Sequence, residues 1–295
     1  MTTSYFLRLL FLACAAFFLL RLAAEAFAAL IADAAIRRAE KMRPDAGARL
    51  VLTLRLLPAF LSLLLVAMFC IPSYLRFEPP TAREEIGVLC LSTAVLGLAL
   101  LCVALWRSAR AWIRTARYTL SDDGGIALAG IVRPRVLISA RARRELSEAQ
   151  LDAALLHEHA HRESLDNLKR LLMLLAPAML PGSRGLERTW ARCAEWAADE
   201  QAAGGDPSRA LALAEALVRV ARMQTEAPSL VATLINSDED LSVRVDRLLN
   251  VGAPVEEHLG GAAIAACAAA LAIALAAVNP TALHAVHGLL ERLLD

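Results

Sequence analysis

Long apolar runs separated by short charged stretches dominate the first hundred positions, and one more run appears near the carboxyl end. They cover about residues 5–31, 50–74, 86–106 and 260–279. A helix needs about 20 mostly apolar residues to cross a bilayer, so the pattern predicts four transmembrane helices. The third run, Ile86 to Trp106, contains no charge, whereas the first carries Arg8, Arg21 and Glu25. That first run is too long for a signal peptide and lacks a cleavage site. Arg21 and Glu25 are one helical turn apart and read as an interfacial snorkelling pair; the other reading is a polar contact inside the bundle.

Between the third and fourth runs the pattern changes. "DDGG" at Asp122 to Gly125 is turn chemistry. "IALAGIV" and "RVLIS" flank Arg133-Pro134 and predict short strands of a small sheet with an exposed edge near Ile131 to Ile138. Ser147 followed by Gln150 resembles a capping box and opens the helix "SEAQLDAALLHEHAHRES". An apolar helix from Leu165 follows, ended by Pro181-Gly182. A further helix, "GLERTWARCAEWAADEQAAG", stops at Gly204-Gly205. Asp206-Pro207 opens another to about Arg222, and "DLSVRVDRLLN" is the last. The fold expected is mainly α, a polytopic membrane protein with an α+β domain between spans three and four. Its parts are residues 1–106 with three spans, 107–259 with the domain, 260–279 with the fourth span, and a short tail at 280–295.

Leu168 to Leu180 competes as a fifth span. It is only 13 residues long and has Lys169 and Arg170 at its start. It reads instead as a core helix, or as one that dips into the membrane interface.

Charge adds direction. Arg37, Arg38, Lys41, Arg43 and Arg49 lie between the first two spans, and Arg107, Arg110, Arg114 and Arg117 follow the third. The positive-inside rule places both groups in the cytoplasm, with the domain, and puts both chain ends outside. Composition agrees with a membrane protein, with 58% hydrophobic residues and a mean hydropathy of +0.50. The net charge of +1 gives no reason to expect nucleic acid as a partner. Six cysteines, five of them in apolar runs and none in a C-x-x-C pair, read as small buried hydrophobes.

Three of the six histidines fall within "LLHEHAHRES". His157, Glu158 and His161 spell H-E-x-x-H. On a helix His157 and His161 share one face and can reach a single zinc ion. Glu158 sits about 100° round from His157, placed to act as general base on a water that zinc acidifies. His159 points about 200° away and is not a ligand in this reading. A catalytic zinc takes a third protein ligand and keeps one position open. Glu195 in "CAEWAADEQ" is the candidate, with Asp199 one turn on to support a ligand imidazole. Glu187 and Glu200 are weaker candidates. In the tail, His284 and His287 read as a solvated helix face.

The segment "GIVRPRVLISARARRELSEAQLDAALLHEHAHRESLDN" resembles the core of the BlaR/MecR-type integral membrane zinc metallopeptidases. The G-x-x-x-P strand signal, the H-E-x-x-H helix and the later E-x-x-x-D helix occur in the same order. HtpX-type membrane peptidases share the two motifs with a different span arrangement. The resemblance covers about Ala129 to Asn250. It implies a zincin-like (gluzincin) domain facing the cytoplasm from a bacterial inner membrane, with zinc held by His157, His161 and Glu195, and Glu158 as catalytic residue. It implies Asp199 as the aspartate of the third-ligand helix, and Arg244 in "LSVRVDRLLN" as a brace for that helix. The activity implied is zinc endopeptidase cleavage of a protein or peptide, either a transcriptional repressor or the chain itself, in a signalling pathway. Membrane-protein quality control and a non-catalytic membrane scaffold are the alternatives. The antibiotic-sensing relatives carry an extracellular sensor domain after the fourth span, and only some 15 residues follow it here, so β-lactam sensing is not expected.

Overall fold

The computed structural model describes residues 5–79, 86–117, 125–131, 133–225, 238–250 and 279–294. The chain is mainly helical. Three helices are long and apolar enough to cross a membrane: Tyr5–Ala39, Pro44–Phe77 and Val88–Ala116. The expected fourth span lies outside the described residues.

Helix α1 (Tyr5–Ala39) stands between two neighbours, α2 (Pro44–Leu65) on one side and α4 (Val88–Ala116) on the other. A π-helical turn, Val66–Cys70, joins α2 to α3 (Ile71–Phe77) without a break. Pro72 accounts for this turn, because its nitrogen cannot donate to the turn before it, and a wider turn absorbs the mismatch. Gly97 lets α4 approach α1 closely: a Cβ there would lie 2.8 Å from the Cys14 carbonyl oxygen. Side chains such as Phe60, Leu63, Leu96 and Leu101 point outward from the spans and are exposed. The cysteines divide, with Cys70, Cys90 and Cys193 buried and Cys102 on the outer face of its span.

These helices are longer than their apolar runs. The 35 residues of α1 reach about 52 Å at 1.5 Å per residue, against a hydrocarbon core of about 30 Å. The surplus forms the wall of the domain. Helix α8 (Pro181–Ala203) packs along α1 and α2, and one core joins Ala32, Ala39 and Val51 of the spans to Leu186, Trp190 and Cys193 of α8.

The domain begins with an antiparallel hairpin, β1 (Ile126–Ala129) and β2 (Arg135–Ile138), with Ile126 opposite Ile138 and Leu128 opposite Val136. Helix α5 (Ala140–Glu145) leads to α6 (Glu148–Glu163). The expected capping box is present: the Ser147 hydroxyl accepts from the Gln150 amide and the Gln150 side chain from that of Ser147. Helices α7 (Asp166–Leu175), α9 (Pro207–Thr225) and α10 (Asp238–Leu249) follow around α6 and α8. Gly204, at φ 56°, closes α8 in the left-handed conformation that glycine adopts without strain.

Two boundaries differ from expectation. The helix from Asp166 ends at Leu175, and Pro181 opens α8 instead of closing α7. Pro177 cannot continue a helix and pushes Ala176 out of it, to φ −115° and ψ 67°. Pro181 at the first turn lacks only an amide that would be unbonded there anyway.

The snorkelling reading of Arg21 and Glu25 is overturned. Both are buried, 3% and 1% exposed. Arg21 donates to the Pro177 carbonyl at 2.6 Å, and Glu25 accepts from the Met179 amide at 3.0 Å and the Ser183 hydroxyl at 3.0 Å. Arg55 joins them, donating to the Ala176 carbonyl and to Glu187. Three backbone groups of the α7–α8 loop are therefore bonded by charged side chains projecting from the spans.

The tail is also ordered. Helix α11 (Pro280–Leu294) packs on α3 and the π-helical turn, at the end of the bundle away from α8. His284 is exposed, but His287 is buried, so the solvated face predicted for the pair holds only for His284. His287 lies 3.4 Å from Glu291, in the neighbourhood of the buried Arg8–Glu78 pair.

Candidate metal centre

Helix α6 contributes both histidines and α8 the acid that faces them. Gln150 fixes α6 against α9, donating to Glu215 at 2.7 Å. Ala153 packs with Ala202, Ala210 and Leu213, and these small residues let α6, α8 and α9 meet closely. This contact brings His157 and His161 face to face with Glu195.

The three ligand atoms form a near-equilateral triangle. His157 Nε2 and His161 Nε2 are 3.1 Å apart. Glu195 Oε2 lies 3.5 Å from the first and 3.6 Å from the second. Ligands about 2.0–2.1 Å from a tetrahedral zinc stand about 3.3–3.4 Å from each other. The observed edges bracket that value, so the residues fit zinc. The group satisfies the geometry for holding a metal ion. His157 and His161 are buried, while the Glu195 side chain is 29% exposed, leaving an open side. Glu158 is half-buried and His159 is exposed, as its helical position predicts.

Each imidazole turns its Nε2 to the triangle and its Nδ1 to a carboxylate. His161 Nδ1 meets Asp166 Oδ2 at 2.7 Å. His157 Nδ1 is 3.0 Å from Asp199 Oδ1, a close but poorly aligned contact. Such carboxylates fix the ring orientation and raise the basicity of a metal-binding histidine. Arg244 holds Asp199 from behind through two bonds of 2.8 Å, and its Nη1 also lies 3.2 Å from Glu195 Oε2.

The electrostatics follow from this crowding. Burial alone would lower the His161 pKa, but the bonds to Asp166 and Glu195 prevail and hold it up at about 10. His157 is raised too, with Asp199 and Glu195 overcoming its burial. Burial pushes the Glu195 carboxyl upward, and the two imidazoles and Arg244 more than reverse this, holding it well below the usual range. The site thus gathers three carboxylates around two imidazoles, with Arg244, Arg170 and Lys169 on the outer side of those carboxylates.

Sequence reasoning missed Asp166. It stands five residues after His161, and a left-handed Leu165 at φ 56° turns the chain so that Asp166 faces back. Leucine rarely takes that conformation, so the turn leaves no mark in the sequence. Lys169, 3.0 Å from Asp166, and Arg170, 3.6 Å from Glu195, were also missed as neighbours of the site. Of the weaker third-ligand candidates, Glu187 is bound to Arg55 and Glu200 is exposed. No protein-family model, curated protein or solved structure matches the chain.

Proposed function

We propose that the chain is a membrane-embedded zinc metallopeptidase whose metal is held by His157, His161 and Glu195. The observation that carries this reading is the triangle of their ligand atoms, with edges of 3.1, 3.5 and 3.6 Å, and Glu158 follows His157 on the same helix. The resemblance of the H-E-x-x-H segment to BlaR/MecR-type peptidases supports it independently of the geometry.

Zinc in this triad supplies Lewis acidity and acidifies water. Glu158 takes the proton from an attacking water and delivers it to the leaving amine. Asp166 and Asp199 keep both imidazoles turned with Nε2 inward, and Arg244 keeps Asp199 and Glu195 in place. The substrate is a protein or peptide, either a regulatory protein such as a transcriptional repressor or the chain itself. In this reading the domain faces the cytoplasm from a bacterial inner membrane. Quality-control proteolysis of membrane proteins is the alternative within the same chemistry, and a non-catalytic scaffold is the alternative outside it.

The test is zinc per chain in detergent-purified protein. The expected result is about one zinc in the wild type, a large loss in Glu195→Ala, and retained zinc without peptide hydrolysis in Glu158→Gln. A wild type without zinc would overturn the proposal and bring the scaffold reading forward.

A further inference from the structure

We propose that α7 lies in the bilayer surface, so that lipid forms the outer wall of the candidate metal centre. The helix is divided into two faces. Every polar side chain on it is engaged with protein. Asp166 holds His161, and Lys169 holds Asp166. Asn167 donates to the carbonyls of Leu128 and Gly130 at the inner hairpin strand. Arg170 lies 3.6 Å from Glu195 and over the ring of Trp190.

The opposite face is leucine. Leu165, Leu168, Leu172 and Leu175 are 53%, 38%, 41% and 38% exposed. Leu168, Leu172 and Leu175 fall within an arc of about 60° at 100° per residue, and Leu165 adjoins them just before the helix. An exposed stripe of three leucines on one helix, extended by a fourth at its amino end, marks an interaction surface.

Two observations identify lipid as the partner. First, α7 packs beside α4, whose outward face carries the exposed Leu98, Leu101 and Leu105. The leucine stripe therefore sits on a helix that packs against an apolar span with an exposed leucine face of its own. Second, the backbone after α7 is irregular yet satisfied from within the spans. Arg55 binds the Ala176 carbonyl, Arg21 the Pro177 carbonyl, and Glu25 the Met179 amide. Non-helical backbone at membrane depth persists only where protein meets its hydrogen-bonding needs. These three partners come from the apolar helices themselves, so the loop is held against the spans and away from water.

This surface does not depend on the metal. It does tie the bilayer to the centre, because Asp166 and Asn167 sit on the helix that the bilayer supports.

The test places a photoreactive diazirine amino acid at position 168 or 172 of the full chain in phosphatidylcholine–phosphatidylglycerol nanodiscs. Position 159, exposed on α6, is the control. Zinc content is measured on the same samples, so that loss of the metal reading is scored separately. The expected result is lipid adducts as the main product at 168 and 172, with none at 159. Cross-links within the chain would show that another segment covers the stripe, and cross-linked dimers that a second copy does; either overturns the proposal. Quenching by water alone at both sites overturns it as well.

Discussion

Arg244 grips Asp199 through two parallel hydrogen bonds of 2.8 Å each, Nε to Oδ2 and Nη2 to Oδ1. The pair is buried, with side-chain exposures of 14% and 6%. A planar guanidinium makes this two-point contact, and a lysine ammonium cannot. The Asp199 carboxyl is accordingly held below its usual range, with Arg244 outweighing the effect of burial. Arg244→Ala leaves the buried Asp199 with His157 as its remaining partner, so the cost is about 3 kcal/mol, the low end for a broken buried pair. Arg244→Lys restores the charge but not the fork, and falls between alanine and wild type. Thermal unfolding in detergent measures the stability loss. Competition with a chromophoric chelator measures zinc affinity, which is expected to fall about 10- to 100-fold in Arg244→Ala.

Asp166 carries the same prediction through the other imidazole. Its 2.7 Å contact sets the His161 ring with Nε2 toward Glu195. Asp166→Ala removes that restraint, and zinc affinity falls by about 10- to 100-fold. Asp166→Asn keeps an acceptor oxygen but loses the charge, so its loss is smaller. Lys169→Ala changes little, because its side chain is 30% exposed and a solvated ion pair is worth about 0–1 kcal/mol. Equal losses in all three variants would separate His161 orientation from Asp166.

Much of the site was legible because its chemistry repeats at helical spacing. His157, Glu158 and His161 on one helix, and Glu195 and Asp199 on another, are patterns that one turn of α-helix dictates. The capping box at Ser147 was legible for the same reason, and three of the four expected spans from the length of their apolar runs. Asp166 was not, since its role depends on one left-handed leucine. Arg21 and Glu25 were misread for a different reason, and Arg55 was not singled out at all. A charge in an apolar helix looks like a residue reaching for water, and its true partners, in the α7–α8 loop and the first turn of α8, are more than 120 residues away. Helix periodicity carries no information about such distant partners.

Arg55 gives that loop a test. Its side chain is 1% exposed and bonds Glu187 at 2.6 Å and the Ala176 carbonyl at 2.6 Å. Arg55→Ala removes these bonds, and a third from Nε to Glu187 at 3.0 Å, and leaves a cavity. The cost is about 3 kcal/mol, the low end for a broken buried pair, because Glu187 is 35% exposed and keeps some water. The release is local, so proteolysis between Leu175 and Pro181 is expected to rise before global unfolding. A double variant, Arg55→Met with Glu187→Leu, removes both charges and recovers part of the stability. Unchanged protease resistance in Arg55→Ala would mean that Arg21 and Glu25 hold the loop alone.

The contact of α1 with α4 yields a paired test, in which two glycines of similar crowding respond differently. At Gly97 the atom that an added Cβ meets is backbone, the Cys14 carbonyl oxygen at 2.8 Å, with the Phe18 Cβ at 3.3 Å. Neither can move without shifting α1, so the two spans must separate. At Gly185 the atom met is the Ile36 Cδ1 at 3.2 Å, the far end of a flexible side chain. A small rotation of Ile36 relieves that contact. Gly97→Ala therefore destabilises the protein by about 1–3 kcal/mol, the range for overpacking a close contact. Gly185→Ala, in the interior of α8, is neutral or gains up to about 1 kcal/mol from the better helix propensity of alanine. Thermal unfolding of the two variants in the same detergent decides the matter. Equal destabilisation would mean that Ile36 is as immobile as backbone, and that the α1–α8 contact is packed as tightly as the one between the spans.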